Sequence, residues 1–168
     1  MRKPRLIPSI WTACRVAFTT FRTCATCIIM SRVKKDREYA LRHCRTIWGP
    51  SIFSIAGSTL DVSGGENVDF SKPHIYVMNH ESYMDIPAAF MAVPSNIGFV
   101  AKQELEKIPL FGRTMRESGM IFVDRSNPQK AIASLKAGGA LIRSGVNIFA
   151  FPEGTRTKTG CMRPFKKG

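Results

Sequence analysis

His74-Ile75-Tyr76-Val77-Met78-Asn79-His80-Glu81-Ser82-Tyr83-Met84-Asp85 is a short apolar run that passes at once into polar and ionisable side chains. Residues 74–78 have the length and the aromatic and β-branched content of a buried strand. Residues 83–92 read as the helix that follows. A strand feeding directly into a helix is the repeating unit of a parallel sheet. Downstream the unit recurs. Ile97 to Ala101 is a predicted strand, Pro109-Leu110-Phe111-Gly112 opens a helix that ends near Gly119, and Met120 to Val123 is a strand. Pro128 to Arg143 is a helix that starts on a suitable proline, and 146–151 is the last strand. The alternation predicts an α/β fold with a largely parallel sheet flanked by helices.

Upstream the pattern changes. Val33 to Trp48 reads as a helix that Gly49-Pro50 should stop. Ile52 to Ala56 and Thr59 to Val62 read as short strands, with Gly57-Ser58 and Gly64-Gly65 as turns. The 168-residue chain is one domain at most, and an apolar content of 44% argues against general disorder.

The formal charge of +13 is unevenly spread. Residues 1–50 carry eleven Lys/Arg against two Asp/Glu, so the basic character is mainly N-terminal. Such asymmetry points to an anionic surface, nucleic acid or membrane. Ile7 to Met30 favours the membrane. As a helix it places Thr12, Arg15, Thr19, Arg22, Thr23 and Thr26 on one face, and spreads Trp11, Cys14, Phe18, Phe21, Ala25, Ile28 and Ile29 over the rest. No uncharged run reaches the roughly 18 residues of a simple spanning helix. An amphipathic basic helix in the headgroup layer is expected, with Arg32, Lys34, Lys35 and Arg37 meeting anionic lipid. A soluble helix packed on its own domain is the plainer alternative. No nucleic-acid motif accompanies the charge, so no nucleic-acid partner is expected. The organisation expected is a helical membrane-association segment over 1–50 and an α/β domain over 51–168. Cys24-x-x-Cys27 lacks a second pair, which argues against a zinc site and for small apolar residues in a reducing compartment.

Two motifs carry chemistry. His80 is a candidate general base, because histidine exchanges protons near neutral pH. Asp85 can accept from its other ring nitrogen and fix the tautomer. That works if Ser82 is the N-cap of a helix and Asp85 stands at its N3 position. Ser82-x-x-Asp85 is equally the form of a capping box, whose role is structural. The second motif, Phe151-Pro152-Glu153-Gly154-Thr155-Arg156-Thr157, follows the last strand. Pro152 and Gly154 fix a tight turn, and Thr155 and Arg156 can donate to a phosphate. A plain strand-to-loop turn with a solvated arginine is the structural alternative. Gly119 to Arg125 is a third strand that delivers an arginine at its end.

These motifs, N-H-x-S-x-x-D, G-x-I-F-V-D-R and F-P-E-G-T-R, together with Lys102-x-x-Leu105-x-x-x-Pro109 and Gly112, resemble the glycerolipid acyltransferases. More narrowly, they resemble the 1-acylglycerol-3-phosphate O-acyltransferases, over about residues 55–168. The resemblance implies that His80 is the base and Asp85 its orienting partner. It implies that Arg125, Glu153, Gly154, Thr155 and Arg156 bind the glycerol phosphate, with help from Lys102. The implied reaction moves an acyl group from acyl-CoA or acyl-carrier protein to the sn-2 hydroxyl of lysophosphatidate. It calls for no metal or redox cofactor and no enzyme nucleophile, which leaves Ser82 and Cys161 out of the chemistry. The implied location is the cytoplasmic face of a membrane, a bacterial inner membrane. Related alternatives are another lysophospholipid acceptor, or an inactive membrane-binding fragment. The family continues past the equivalent of Phe165-Lys166-Lys167-Gly168 with a helix and a proline-containing strand, so the last elements are expected to be missing.

Overall fold

The computed structural model describes residues 9–36, 38–124 and 126–165. It begins with a helical stretch: α1 (Ile10–Lys34), α2 (Tyr39–His43), a π-helical segment Cys44–Trp48, and α3 (Gly49–Ala56). Ser9 caps α1 by accepting from the Thr12 N–H at 3.2 Å. No breaker lies between Met30 and Lys34, and the helix runs four residues beyond its expected end. Lys35 then turns it in the left-handed region at φ 52°.

Gly49-Pro50 does not stop the helical path. The π-helical segment widens the backbone just before it. Pro50 falls at the start of α3, where a missing N–H breaks no internal bond. A β-carbon on Gly49 would stand 2.9 Å from Met91 Cγ, so α3 and the next helix approach closely here. The strand expected at 52–56 is therefore helix. Gly49, Ile52 and Phe53, spaced i, i+3, i+4, are its buried face. A five-residue apolar run fits either period, and the preceding helix decides. Gly57 ends α3 at φ 62°, with Gly57 N–H donating to the Ser54 carbonyl and Ser58 N–H to the Phe53 carbonyl, a Schellman closure. The strand expected at 59–62 does not form either. The boundary expected at residue 50 thus falls inside a helical stretch that ends at Ala56.

Four strands follow: β1 (Ile75–Val77), β2 (Ile97–Lys102), β3 (Ile121–Val123) and β4 (Asn147–Ala150). All pair in parallel, in the spatial order β1-β4-β2-β3. Parallel neighbours need crossovers. These contain α4 (Asp85–Ala92), α5 (Phe111–Glu117) and α6 (Pro128–Arg143). In β4 the side chains alternate between two cores. Ile148 packs with Ile121 and Val123 under Ala131 and Ile142 of α6. Phe149 packs with Phe99, Ile97, Phe90 and Leu41 under α4 and α2. A sheet covered on both faces explains the nearly continuous apolar runs of β2 and β4.

The helix α1 lies against α2, α3 and α5. Its Thr23, Cys24, Cys27 and Ile28 are buried. Thr20 Oγ1 accepts from Trp48 Nε1 at 3.1 Å, and Thr114 Oγ1 donates to the Cys24 carbonyl at 3.3 Å. The threonine side thus faces the protein. Trp11, Phe18, Phe21, Ile29 and Val33 point outward and are 59–72% exposed.

Candidate active site

In a parallel sheet every strand ends on the same side, and the three motifs follow the ends of β1, β3 and β4. Ligand sites of open α/β sheets form in that position. Because β1 and β4 are neighbours, the two motifs some seventy residues apart in sequence meet directly.

His80 sits in the turn between β1 and α4. Its Nδ1 lies 2.7 Å from Asp85 Oδ2. The same oxygen accepts from the backbone N–H groups of Glu81 at 2.8 Å and Ser82 at 2.9 Å. Three donors converge on one carboxylate oxygen, so the carboxylate is fixed and the imidazole with it. With Nδ1 protonated toward Asp85, Nε2 is left as the proton acceptor. The expected cap is altered in detail. Asp85 begins α4, and Ser82 Oγ accepts from Met84 N–H at 3.0 Å. One oxygen of Asp85 therefore both orients the imidazole and holds two N–H groups of the turn ahead of α4, while α4 itself has no side-chain cap.

The imidazole lies flat on Phe151, with ring centroids 3.9 Å apart and planes 18° apart. Phe151 belongs to the second motif but had no assigned role. Its neighbour Gly154 needs its positive φ of 71° for the turn that Pro152 starts. Glu153 is only 2% exposed. Its Oε1 accepts from the His80 N–H and its Oε2 from the Arg163 N–H, each at 2.8 Å. These two backbone donors, Arg163 first, hold the Glu153 carboxyl below the ordinary glutamate value. Both oxygens thus take backbone N–H groups inside the protein, a structural use that the resemblance did not imply. An ionised Glu153 stabilises the fold fully above the ordinary glutamate pKa, and that contribution fades as pH falls through the lowered folded value. Glu153→Gln is therefore expected to cost stability near neutral pH and progressively less in acid. Urea unfolding of both proteins over a pH series measures this, and a pH-independent difference would contradict it.

His80, Lys102, Gly154, Thr155 and Arg156 line one cavity of about 250 Å³. Much of its lining is apolar, with Trp48, Phe90, Phe99, Phe111 and Met115 among it. Thr20, Thr23 and Cys24 of α1 close one side. The Arg156 guanidinium stands 3.7 Å above the ring of Tyr83, a residue of the first motif that is 74% exposed. An aromatic at position 83 carried no signal in the sequence, because its partner is seventy-three residues away. Lys102 ends β2 and pairs with Glu104 at 3.0 Å. Arg125 lies outside the described residues. The cavity thus combines a held imidazole and cations with a largely apolar lining.

The family model described as Acyltransferase matches residues 59–168. The chain belongs to the Acyltransferase family. A 1-acyl-sn-glycerol-3-phosphate acyltransferase of Cocos nucifera is 37% identical over 124 residues, which is 73% of this chain and 39% of that protein. The enzyme of the same name from Helicobacter pylori is 36% identical, over 69% of this chain and 48% of its own length. The crystal structure of the 1-acyl-sn-glycerophosphate (LPA) acyltransferase PlsC from Thermotoga maritima superposes with a TM-score of 0.70 at 30% identity. It covers 93% of this chain and 68% of that one. The chain therefore spans less than half the length of these two curated relatives. The acyltransferase match takes in β1 to β4 and every described site residue, while α1 to α3 lie ahead of it.

Proposed function

We propose that this chain is the acyl-transfer part of an enzyme that acylates lysophosphatidate at a membrane surface. The observation that carries this reading is the shared cavity, in which an oriented histidine and a clamped arginine face an apolar interior. The acceptor's phosphate is held by Arg156 with Thr155 and Lys102, which brings its free sn-2 hydroxyl to His80 Nε2. His80 takes the hydroxyl proton as the oxygen attacks the thioester carbonyl of acyl-CoA or acyl-carrier protein. An ester C–O bond forms, the C–S bond breaks, and the proton passes to the leaving thiolate. The donor's acyl chain lies along the apolar lining. The names of the relatives support lysophosphatidate as the acceptor.

Arg156→Ala tests the phosphate contact. Charge-assisted hydrogen bonds are worth about 1.5–3 kcal/mol, so KM for lysophosphatidate should rise about 10–150-fold. The KM for the thioester should hardly change. A change confined to the thioester would overturn the assignment.

The outward side of α1 supports the membrane part of the proposal. It sets Trp11, Phe18, Phe21 and Ile29 beside Arg15 and Arg22, all exposed. The helix is also long and apolar enough to cross a bilayer. Deleting α1 would open the core it covers. A cleaner test is the triple substitution Trp11→Ser, Phe18→Ser, Phe21→Ser. Sedimentation with mixed phosphatidylglycerol–phosphatidylcholine vesicles should weaken at least about tenfold, given about 1.5–3 kcal/mol per buried large apolar side chain. Unchanged sedimentation would remove this face from membrane contact.

A further inference from the structure

The backbone of His80 is held at both of its polar atoms by one loop. Glu153 Oε1 takes its N–H at 2.8 Å, and the Thr157 N–H donates to its carbonyl at 2.7 Å. The ring lies on Phe151 of that same loop. Apart from Asp85, the contacts that fix the base come from the second motif. Glu153 also reaches forward, its other oxygen accepting from Arg163 N–H at 2.8 Å. Thr157 Oγ1 closes that return by donating to the Cys161 carbonyl at 2.8 Å. A carboxylate 2% exposed, with each oxygen on a backbone N–H, is turned toward the fold.

We infer that Glu153 is a positioning residue for the base: it ties the His80 turn to the segment ending at Arg163, and so sets where Nε2 points. This rests on the proposed acyl transfer only for its kinetic consequence. The clamp itself is a property of the fold.

The chemistry explains why a glutamate suits the position. Two backbone N–H groups from different segments need two acceptor oxygens on one short planar group. Glutamine offers one oxygen and one NH₂, and the NH₂ would face an N–H donor. Either the His80 turn or the Arg163 segment must then move away. A base misplaced by about 1 Å costs on the order of a hundredfold in rate. The Arg156 guanidinium stands over Tyr83, and the two Glu153 oxygens take backbone N–H groups instead, so the KM for the acceptor is expected to stay nearly constant.

The test has two arms. In the first, amide hydrogen exchange is followed on the unaltered chain and on Glu153→Gln. The His80 and Arg163 amides should be protected in the unaltered chain, and at least one should exchange about tenfold or more faster in the variant. Exchange of both at the rate of an open loop in the unaltered chain overturns the clamp, whatever the activity and whether or not the variant folds. In the second arm, kcat and KM are measured for lysophosphatidate. Glu153→Gln should lower kcat about 10–100-fold at nearly constant KM. In a His80→Ala background the same change should cost nothing further. A raised KM with unchanged kcat would make Glu153 an acceptor ligand and overturn the inference. Protected amides in a chain that transfers no acyl group would sink the proposed function and leave the clamp standing.

Discussion

Replacing His80 by alanine is expected to lower kcat for acyl transfer by about 10²–10⁴-fold, the range typical of a lost general base. The site reasons for a kinetic rather than a structural effect are specific. The turn that carries His80 is held through its backbone by Glu153 and Thr157, and Asp85 keeps two N–H donors of that turn without the imidazole. The alanine variant should therefore keep a native circular dichroism spectrum and a KM for lysophosphatidate close to that of the parent. Steady-state assays with lysophosphatidate and an acyl thioester measure both parameters. Activity retained in a preparation free of host acyltransferase would remove His80 from the reaction.

Asp85→Asn should be nearly as damaging, for a different reason. His80 Nδ1 and the Glu81 and Ser82 N–H groups all meet Oδ2, so an asparagine has two placements. With its oxygen there the three bonds persist, but the imidazolium formed on proton transfer loses its ionised partner. With its NH₂ there the two backbone N–H groups lose their acceptor, and Nδ1 can only accept, which puts the ring proton on Nε2. In a serine-protease triad the equivalent swap costs about 10⁴ in kcat through the wrong tautomer. A loss of about 10–10⁴-fold is expected here, with the fold retained, the upper end applying if the wrong tautomer forms. The double variant with His80→Ala should be no worse than the more damaged single variant, because both remove one function. A loss below tenfold would reduce Asp85 to a support of the turn ahead of α4.

Much of the fold was legible because its signals are local. β1 to β4 are short apolar runs, and Pro128 opens α6 on the residue the sequence indicates. The site's residues were legible for a similar reason: each follows a strand end, where a parallel sheet gathers its ligands. Three features were not legible. The stretch 49–56 carries Gly49-Pro50, and only the π-helical segment ahead of it lets the helix continue. The orientation of α1 was hidden because threonines can line a protein contact as readily as a wet face, and here Thr20 and Thr23 face inward. The task of Glu153 was hidden because its partners are backbone N–H groups, which every residue other than proline possesses. A side chain whose partner is main chain leaves no mark in the partner's identity.

The order of strands bears on how the molecule is made. β1 has one neighbour in the described sheet, β4, and Ile75 pairs with Ile148 seventy-three residues later. Translation at about 5–20 residues per second leaves the strand that carries the base without a partner for about 4–15 s after it emerges. During that interval α1 has already left the ribosome and can find a lipid surface, while His80 and Asp85 belong to an unpaired edge. Non-local pairing of this kind is slow to form. The turn of His80 therefore takes its final shape only when Phe149 and Phe151 come down beside Tyr76 and His80. The sequence of that turn is made early, and the partners that hold it arrive late.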